Sequence, residues 1–77
     1  MRYKGTQLPL VLGENDVLDL GTARVSWQQD SQARRVVVDG TFRLEASLAS
    51  GERKLFEAGN SVYMIQAGDD VLLVEVA

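Results

Sequence analysis

The C-terminal stretch from Lys54 to Ala77 constrains the fold most, because it predicts three antiparallel strands joined by two tight turns. Gly59-Asn60 and Gly68-Asp69 each place glycine first, which suits a two-residue type II′ hairpin turn. Turns of this length determine which residues face each other across the strands. The first turn predicts the pairs Phe56–Tyr63 and Leu55–Met64, and the second predicts Ile65–Leu72, Met64–Leu73 and Tyr63–Val74.

Both faces of this three-stranded sheet are apolar. Successive side chains of a strand alternate between its two faces, so one face carries Phe56, Tyr63, Ile65, Leu72, Val74 and Val76. The opposite face carries Leu55, Val62, Met64, Val71 and Leu73, diluted by Glu57, Gln66 and Glu75. A hairpin at a protein surface usually has one polar face. We therefore expect this sheet to be covered twice, once by the rest of the chain and once by further chain or by another protein.

Length and composition predict one small globular domain. Of the 77 residues, 45% are apolar, which is ordinary for a globular domain. The net charge is −3, unlike the strongly basic character of most nucleic-acid binders. A chain of this size buries only about 60% of its unfolded surface, and without cysteine it has no disulfide to support the fold. Oligomerisation is one of the few remaining supports. We expect residues 1–7 to form an extended N-terminal arm, either frayed or lying on a neighbour, and residues 8–77 to form a single small β domain.

The middle of the chain predicts further strands at residues 8–12, 17–20, 22–29, 34–38 and 41–48. Pro9 belongs at a sheet edge or a strand start, because it cannot donate to a ladder. Asp39-Gly40 is a strong signal for a type I′ turn. That turn predicts the pairs Val37–Phe42, Val36–Arg43 and Arg34–Glu45, with Phe42, Leu44, Ala46 and Leu48 pointing inward.

The expected fold is all-β, a small antiparallel barrel or two-layer sandwich of about six to eight short strands joined by tight hairpins. One segment has an alternative. Ser50 could cap a short helix over residues 52–58 that ends at Gly59. A strand is favoured there, because the helix would leave the Gly59-Asn60 turn without a partner strand.

The chain lacks the residues of most catalytic and metal sites. It has no histidine and no cysteine, which excludes catalytic triads and the usual zinc sites. Gly68-Asp69-Asp70 is similar to the Gly-Asp-Asp hairpin of viral RNA polymerases, but the chain is far too short for such an enzyme. Glu14, Asp16 and Asp19 do not have the spacing of a calcium loop. We expect no enzymatic activity, no cofactor and no metal.

A non-enzymatic structural or assembly protein is the favoured function, of the kind that decorates or connects virus and phage capsids. It would dock through a sheet face onto itself or a larger protein lattice, as a homo-oligomer that is cytoplasmic or virion-associated, because no signal peptide or membrane span is visible. The alternative is a small acidic binding or inhibitor domain that acts on a basic protein. Trp27 is either core or an interface anchor. The expected interface residues are Leu55, Val62, Met64, Val71, Leu73, Trp27, Arg2 and Tyr3.

Overall fold

Two layers of β-strand make up the computed structural model, which describes residues 2–5 and 8–77 and confirms the expected sandwich; it is not a closed barrel. The described residues form nine strands, one more than the upper end of the expected range. The strands are β1 (Arg2–Lys4), β2 (Leu10–Leu12), β3 (Val17–Asp19), β4 (Ala23–Asp30), β5 (Ala33–Gly40), β6 (Arg43–Ala49), β7 (Arg53–Ala58), β8 (Ser61–Ala67) and β9 (Leu72–Val76).

The five-stranded sheet has the order β1-β3-β4-β5-β6, and the four-stranded sheet has the order β2-β9-β8-β7. All neighbours are antiparallel except β1 and β3, which run parallel with Tyr3 opposite Leu18. Residues 2–4 of the expected arm are thus extended, but they pair within their own chain. Met1, Thr6 and Gln7 of that arm lie outside the described residues.

The core lies between the sheets and is built from the inward-facing residues of each strand. Val25, Val38, Ile65 and Val74 are completely buried there. Trp27 on β4 joins them with an exposed fraction of 2%. Its indole Nε1 donates a hydrogen bond of 2.9 Å to the carbonyl oxygen of Leu12 on β2, in the opposite sheet. Trp27 is therefore a core residue that connects the layers, so it leaves the set of expected interface residues.

The C-terminal strands pair largely as expected. The β7–β8 pairs Phe56–Tyr63 and Leu55–Met64 are confirmed. The expected β8–β9 register is wrong by two residues, since the observed pairs include Ile65–Val74, Met64–Glu75 and Tyr63–Val76. The turn spans Gly68 to Val71, closed by a hydrogen bond from Gly68 N to Val71 O, and is longer than a two-residue loop. A slip of two residues keeps every side chain on its expected face.

The β5–β6 hairpin differs more, because its register is shifted by three residues. Val37 faces Glu45, and Val36 faces Ala46. Gly40 does not supply a type I′ turn. It lies against β4, where an added Cβ would come within 2.1 Å of the Thr22 carbonyl oxygen.

An odd shift exchanges the two faces of one strand relative to its partner. The expected Arg34–Glu45 pair is therefore replaced by Arg35–Glu45. Within β6, Leu44, Ala46 and Leu48 point inward as expected, whereas Phe42 precedes the strand and is 38% exposed, so its expected inward position is wrong.

The remaining local expectations have mixed outcomes. Residues 53–58 form strand β7, so the helix alternative is wrong. Pro9 directly precedes β2, which is an edge strand, as expected of a residue that cannot donate. Val76, expected on the core face, is 60% exposed near the end of β9.

Candidate docking face of the four-stranded sheet

The outer face of the four-stranded sheet presents a group of apolar side chains to solvent. Strand pairing places them next to one another: Val11 lies opposite Leu73, and Leu55 lies opposite Met64. Leu55 is 60% exposed, Val11 55% and Val62 39%, while Met64 and Leu73 are half-buried. We call these five residues the apolar outer face; its members are Val11, Leu55, Val62, Met64 and Leu73.

Four of the residues expected at an interface lie on this face, namely Leu55, Val62, Met64 and Leu73. The other expected residues lie elsewhere. Val71 is half-buried in the turn before β9. Arg2 and Tyr3 belong to β1, an edge strand of the opposite sheet, and the Tyr3 ring packs against the core.

Val11 was missing from the expected face. Residues 8–12 are apolar throughout except for Pro9, so the segment has no polar alternation to show which side chains point outward. A period of two places Val11 on the face opposite Leu10 and Leu12, but it does not say which of the two faces points outward. What placed Val11 beside Leu73 is the pairing of β2 with β9, and no local pattern reports a contact between residues so distant in sequence.

Charged and polar residues lie among these apolar side chains. Glu75 faces Met64, Gln66 faces Leu73, and Glu57 faces Val62. Arg53, on the edge strand β7, faces Gln66 on β8. Interspersed polar side chains of this kind are typical of a non-obligate interface, whose partners also exist apart, whereas the interior of an obligate interface is mostly apolar.

The outer face of the five-stranded sheet is chemically different. One row of facing residues crosses all five strands with alternating charge, and its members in order are Lys4, Asp19, Arg24, Asp39 and Arg43. We call this the charged row. Arg43 Nη1 lies 3.8 Å from Asp39 Oδ2 within it, and Arg43 Nε lies 3.5 Å from Glu45 on the same strand.

Glu45 is the most strongly paired carboxylate on that surface. Arg35 Nη2 donates a hydrogen bond of 2.6 Å to Glu45 Oε1. This hydrogen bond and the positive charge of Arg35 lower the pKa of Glu45, and the nearby Arg43 adds to the effect. The same contact raises the pKa of Arg35.

A groove of about 490 Å³ lies over this polar surface, lined by Arg24, Arg35, Arg43 and the carboxylates of Asp39 and Glu45, among others. Two of its three arginines are engaged by those carboxylates. Its charges are therefore largely compensated within the sheet, which argues against a dedicated anion site.

Glu14, Asp16 and Asp19, which lack the spacing of a calcium loop, each accept a hydrogen bond from a backbone N–H group. Asp16 Oδ2 accepts from Gly13 N at 3.1 Å, Asp19 Oδ1 accepts from Gly21 N at 2.8 Å, and Glu14 Oε2 accepts from Gln29 N at 2.8 Å. Each carboxylate satisfies an N–H group in or beside a turn. Across residues 2–5 and 8–77, no group of three carboxylates lies close enough together to hold a metal ion.

Arg34 is the one residue on the inner side of β5 with an unusual environment. It is only 7% exposed, and its Nε has no hydrogen-bond partner in the described structure. Burial of an unpaired donor destabilises a fold. Successive residues of a strand point to opposite faces, so only one of Arg34 and Arg35 can point inward. The apolar run of residues 36–38 that follows them covers both faces and does not indicate which one.

Within the described part of the chain, no helix is long and apolar enough to cross a membrane. Comparison with known proteins found no matching family, no matching curated protein and no matching solved structure.

Proposed function

We propose that this chain is a non-enzymatic assembly protein that docks through the apolar outer face onto copies of itself or onto a larger protein lattice. The observation that supports it is the difference between the two outer faces of the sandwich. The five-stranded sheet pairs its charges across strands. The four-stranded sheet exposes Leu55 and Val62 on the neighbouring strands β7 and β8 and Val11 on the opposite edge strand β2, and the half-buried Met64 and Leu73 lie between the two edges. Adjacent exposed apolar side chains mark an interaction surface.

The energy available from this face is substantial for a small domain. Complete burial of one such side chain contributes about 1.5–3 kcal/mol. Because Met64 and Leu73 are already half-buried, covering all five side chains contributes on the order of 5–10 kcal/mol before association costs. That value is comparable with the whole stability of a domain this size, about 4–12 kcal/mol. A partner on this face would therefore stabilise the fold as well as bind it.

Small β proteins that decorate or connect virus and phage capsids combine these properties, and we place the proposal in that class by analogy. The protein would then be virion-associated when assembled and cytoplasmic before assembly. No reaction is part of this role.

The alternative, an acidic module that captures a basic protein, has less support. The acids that would carry this role gather in the C-terminal third of the chain, and the structure divides them between two places. Glu57 and Glu75 lie on the outer face among apolar side chains, while Glu52, Asp69 and Asp70 lie in turns outside the strands. Glu52 also uses its carboxylate locally, accepting from Ala49 N at 2.8 Å. Binding that weakens steeply with salt would favour this alternative.

The test compares the wild type with a Val62→Lys/Leu73→Lys variant by size-exclusion chromatography with light scattering, together with binding of a fluorescent apolar dye. The control is Ser26→Lys, which adds a charge to the outer face of the opposite sheet. We expect the wild type to bind dye or to assemble through this face. The Val62/Leu73 variant should lose the dye binding and that assembly, while association through any other surface persists, and the control should behave like the wild type. A monomeric wild type that binds no dye would refute the proposal.

A further inference from the structure

Among residues 2–5 and 8–77, strand β7 pairs with β8 alone and lies at the free edge of the four-stranded sheet. The β7–β8 register continues one residue further, since Ala67 N donates to Glu52 O at 3.0 Å. Hydrogen-bonded pairs alternate along an antiparallel ladder, so Lys54, Phe56 and Ala58 bond to β8. The backbone N–H and C=O groups of the three alternate residues, Arg53, Leu55 and Glu57, therefore point away from the sheet.

The side chains of those three residues are self-complementary. Leu55 lies in the middle with an arginine two positions before it and a glutamate two positions after it. All three are exposed on the outer face. In the described chain, Arg53 and Glu57 form no ion pair or side-chain hydrogen bond, and their β8 neighbours, Gln66 and Val62, are uncharged. Both charges are thus available to a partner.

We propose that two copies of this chain join along β7, antiparallel and centred on Leu55. In this register Leu55 faces Leu55 of the second copy, and Arg53 faces Glu57 of the second copy on both sides of the centre. Each of the three facing pairs can exchange two backbone hydrogen bonds, because all the groups involved point to the free edge. Opposite charges that face each other directly stabilise a strand pair.

Other pairings of the edges satisfy fewer of these conditions. A shift of two residues in either direction keeps the hydrogen-bonding geometry but separates Arg53 from Glu57 of the second copy. Strand β6 is also a free edge, but its Arg43 and Glu45 are already engaged with β5. Lys54, which points inward from β7, is the residue that would oppose the pairing, because inward lysines on edge strands discourage strand addition.

This inference deepens the proposed function by naming a partner, a second copy, and by giving its geometry. The two four-stranded sheets would become one continuous sheet across the pair, and the two apolar outer faces would lie side by side. The docking surface would then be twice as large as on one chain. The edge and the face can be tested separately, because Arg53 and Glu57 control the first while Val62 and Leu73 control the second.

The test uses charge exchange and sedimentation over a concentration range from about 1 μM to about 1 mM. Arg53→Glu alone and Glu57→Arg alone each set like charges against each other at both ends of the pair, so we expect dimerisation weakened by about tenfold or more. An equimolar mixture of the two single variants places opposite charges together again and should dimerise. The double variant should also dimerise like the wild type.

A backbone test is independent of charge. Leu55→Pro removes an N–H group that points to the free edge and leaves the β8 ladder intact, whereas Leu55→Thr keeps that N–H. We expect the proline variant to be a folded monomer and the threonine variant to dimerise. A monomeric wild type, or single charge variants that associate as the wild type does, would overturn the edge pairing. Loss of association in Val62→Lys/Leu73→Lys, with no response to the edge variants, would leave the docking face standing and refute the edge pairing.

Discussion

Replacement of Trp27 by phenylalanine tests whether the indole connects the two layers. The variant loses the hydrogen bond from Nε1 to Leu12 O, which contributes about 0.5–1.5 kcal/mol net. It also removes two carbon atoms from a side chain that is 2% exposed, which costs about 1.6 kcal/mol of transfer free energy plus a cavity term. Together we expect the free energy of unfolding to fall by about 2.5–4 kcal/mol.

Urea unfolding followed by circular dichroism measures this loss, and the variant's melting temperature should fall by at least about 10 °C, since about 4–8 °C accompanies each kcal/mol in a domain this small. The control is Gln28→Ala on the same strand. It removes an exposed side-chain hydrogen bond to Asn15 and should change stability by no more than about 0.5 kcal/mol. A Trp27→Phe variant that loses less than about 1 kcal/mol but associates differently would refute the core role and make Trp27 an interface residue.

Three further outcomes follow from the structure. Gly40→Ala should destabilise the fold by more than about 3 kcal/mol in thermal unfolding, because the added Cβ meets the β4 backbone. Gly51→Ala should cost only about 1–2 kcal/mol, because Gly51 has a φ of +89° but its added Cβ would meet no other atom. Arg34→Met should leave the free energy of unfolding unchanged or raise it by about 1 kcal/mol in urea titration, because an unpaired buried donor is removed. Arg35→Met should lower the free energy of unfolding slightly, because it breaks an exposed ion pair. Folding lowers the pKa of Glu45, so the contribution of this carboxylate to stability is present above about pH 4.5 and is lost as the pH falls through the folded-state pKa. Any stability advantage of the wild type over Glu45→Gln should therefore disappear in acid unfolding. An advantage that persists at low pH would contradict this.

The sequence predicted strands better than it predicted the turns that join them. Alternation located β4 to β9 and assigned the faces of Leu55, Met64 and Phe56, because burial of one face imposes a period of two. The expected register was correct around Gly59 and wrong after Gly40 and Gly68, where the glycine does not form a two-residue turn. At Gly59 it serves a tight turn with φ of +62°, whereas at Gly40 it serves a close backbone approach that only the folded structure reveals.

Most of the candidate docking face could be derived from local pattern, and its remaining member could not. The two-residue slip of β9 left Leu73 on the expected face, since an even shift preserves side-chain direction. Val11 joined the face through a pairing between the two ends of the chain. Trp27 was ambiguous because a tryptophan next to glutamines fits both a core and an interface, and the Leu12 carbonyl that decides between them is remote in sequence.

The charged row limits how the five-stranded sheet can change. Each of its interior members, such as Arg24, lies between two residues of opposite sign. Reversing one interior charge therefore creates two repulsions at once, and only a second reversal on a neighbouring strand relieves one of them. Substitutions along this line should be tolerated in compensating sets. A binding site grafted onto this side would be easier to place at Ser26 and Val37 in the next row, because these two side chains are uncharged, provided that Glu45 at the end of that row keeps its ion pairs.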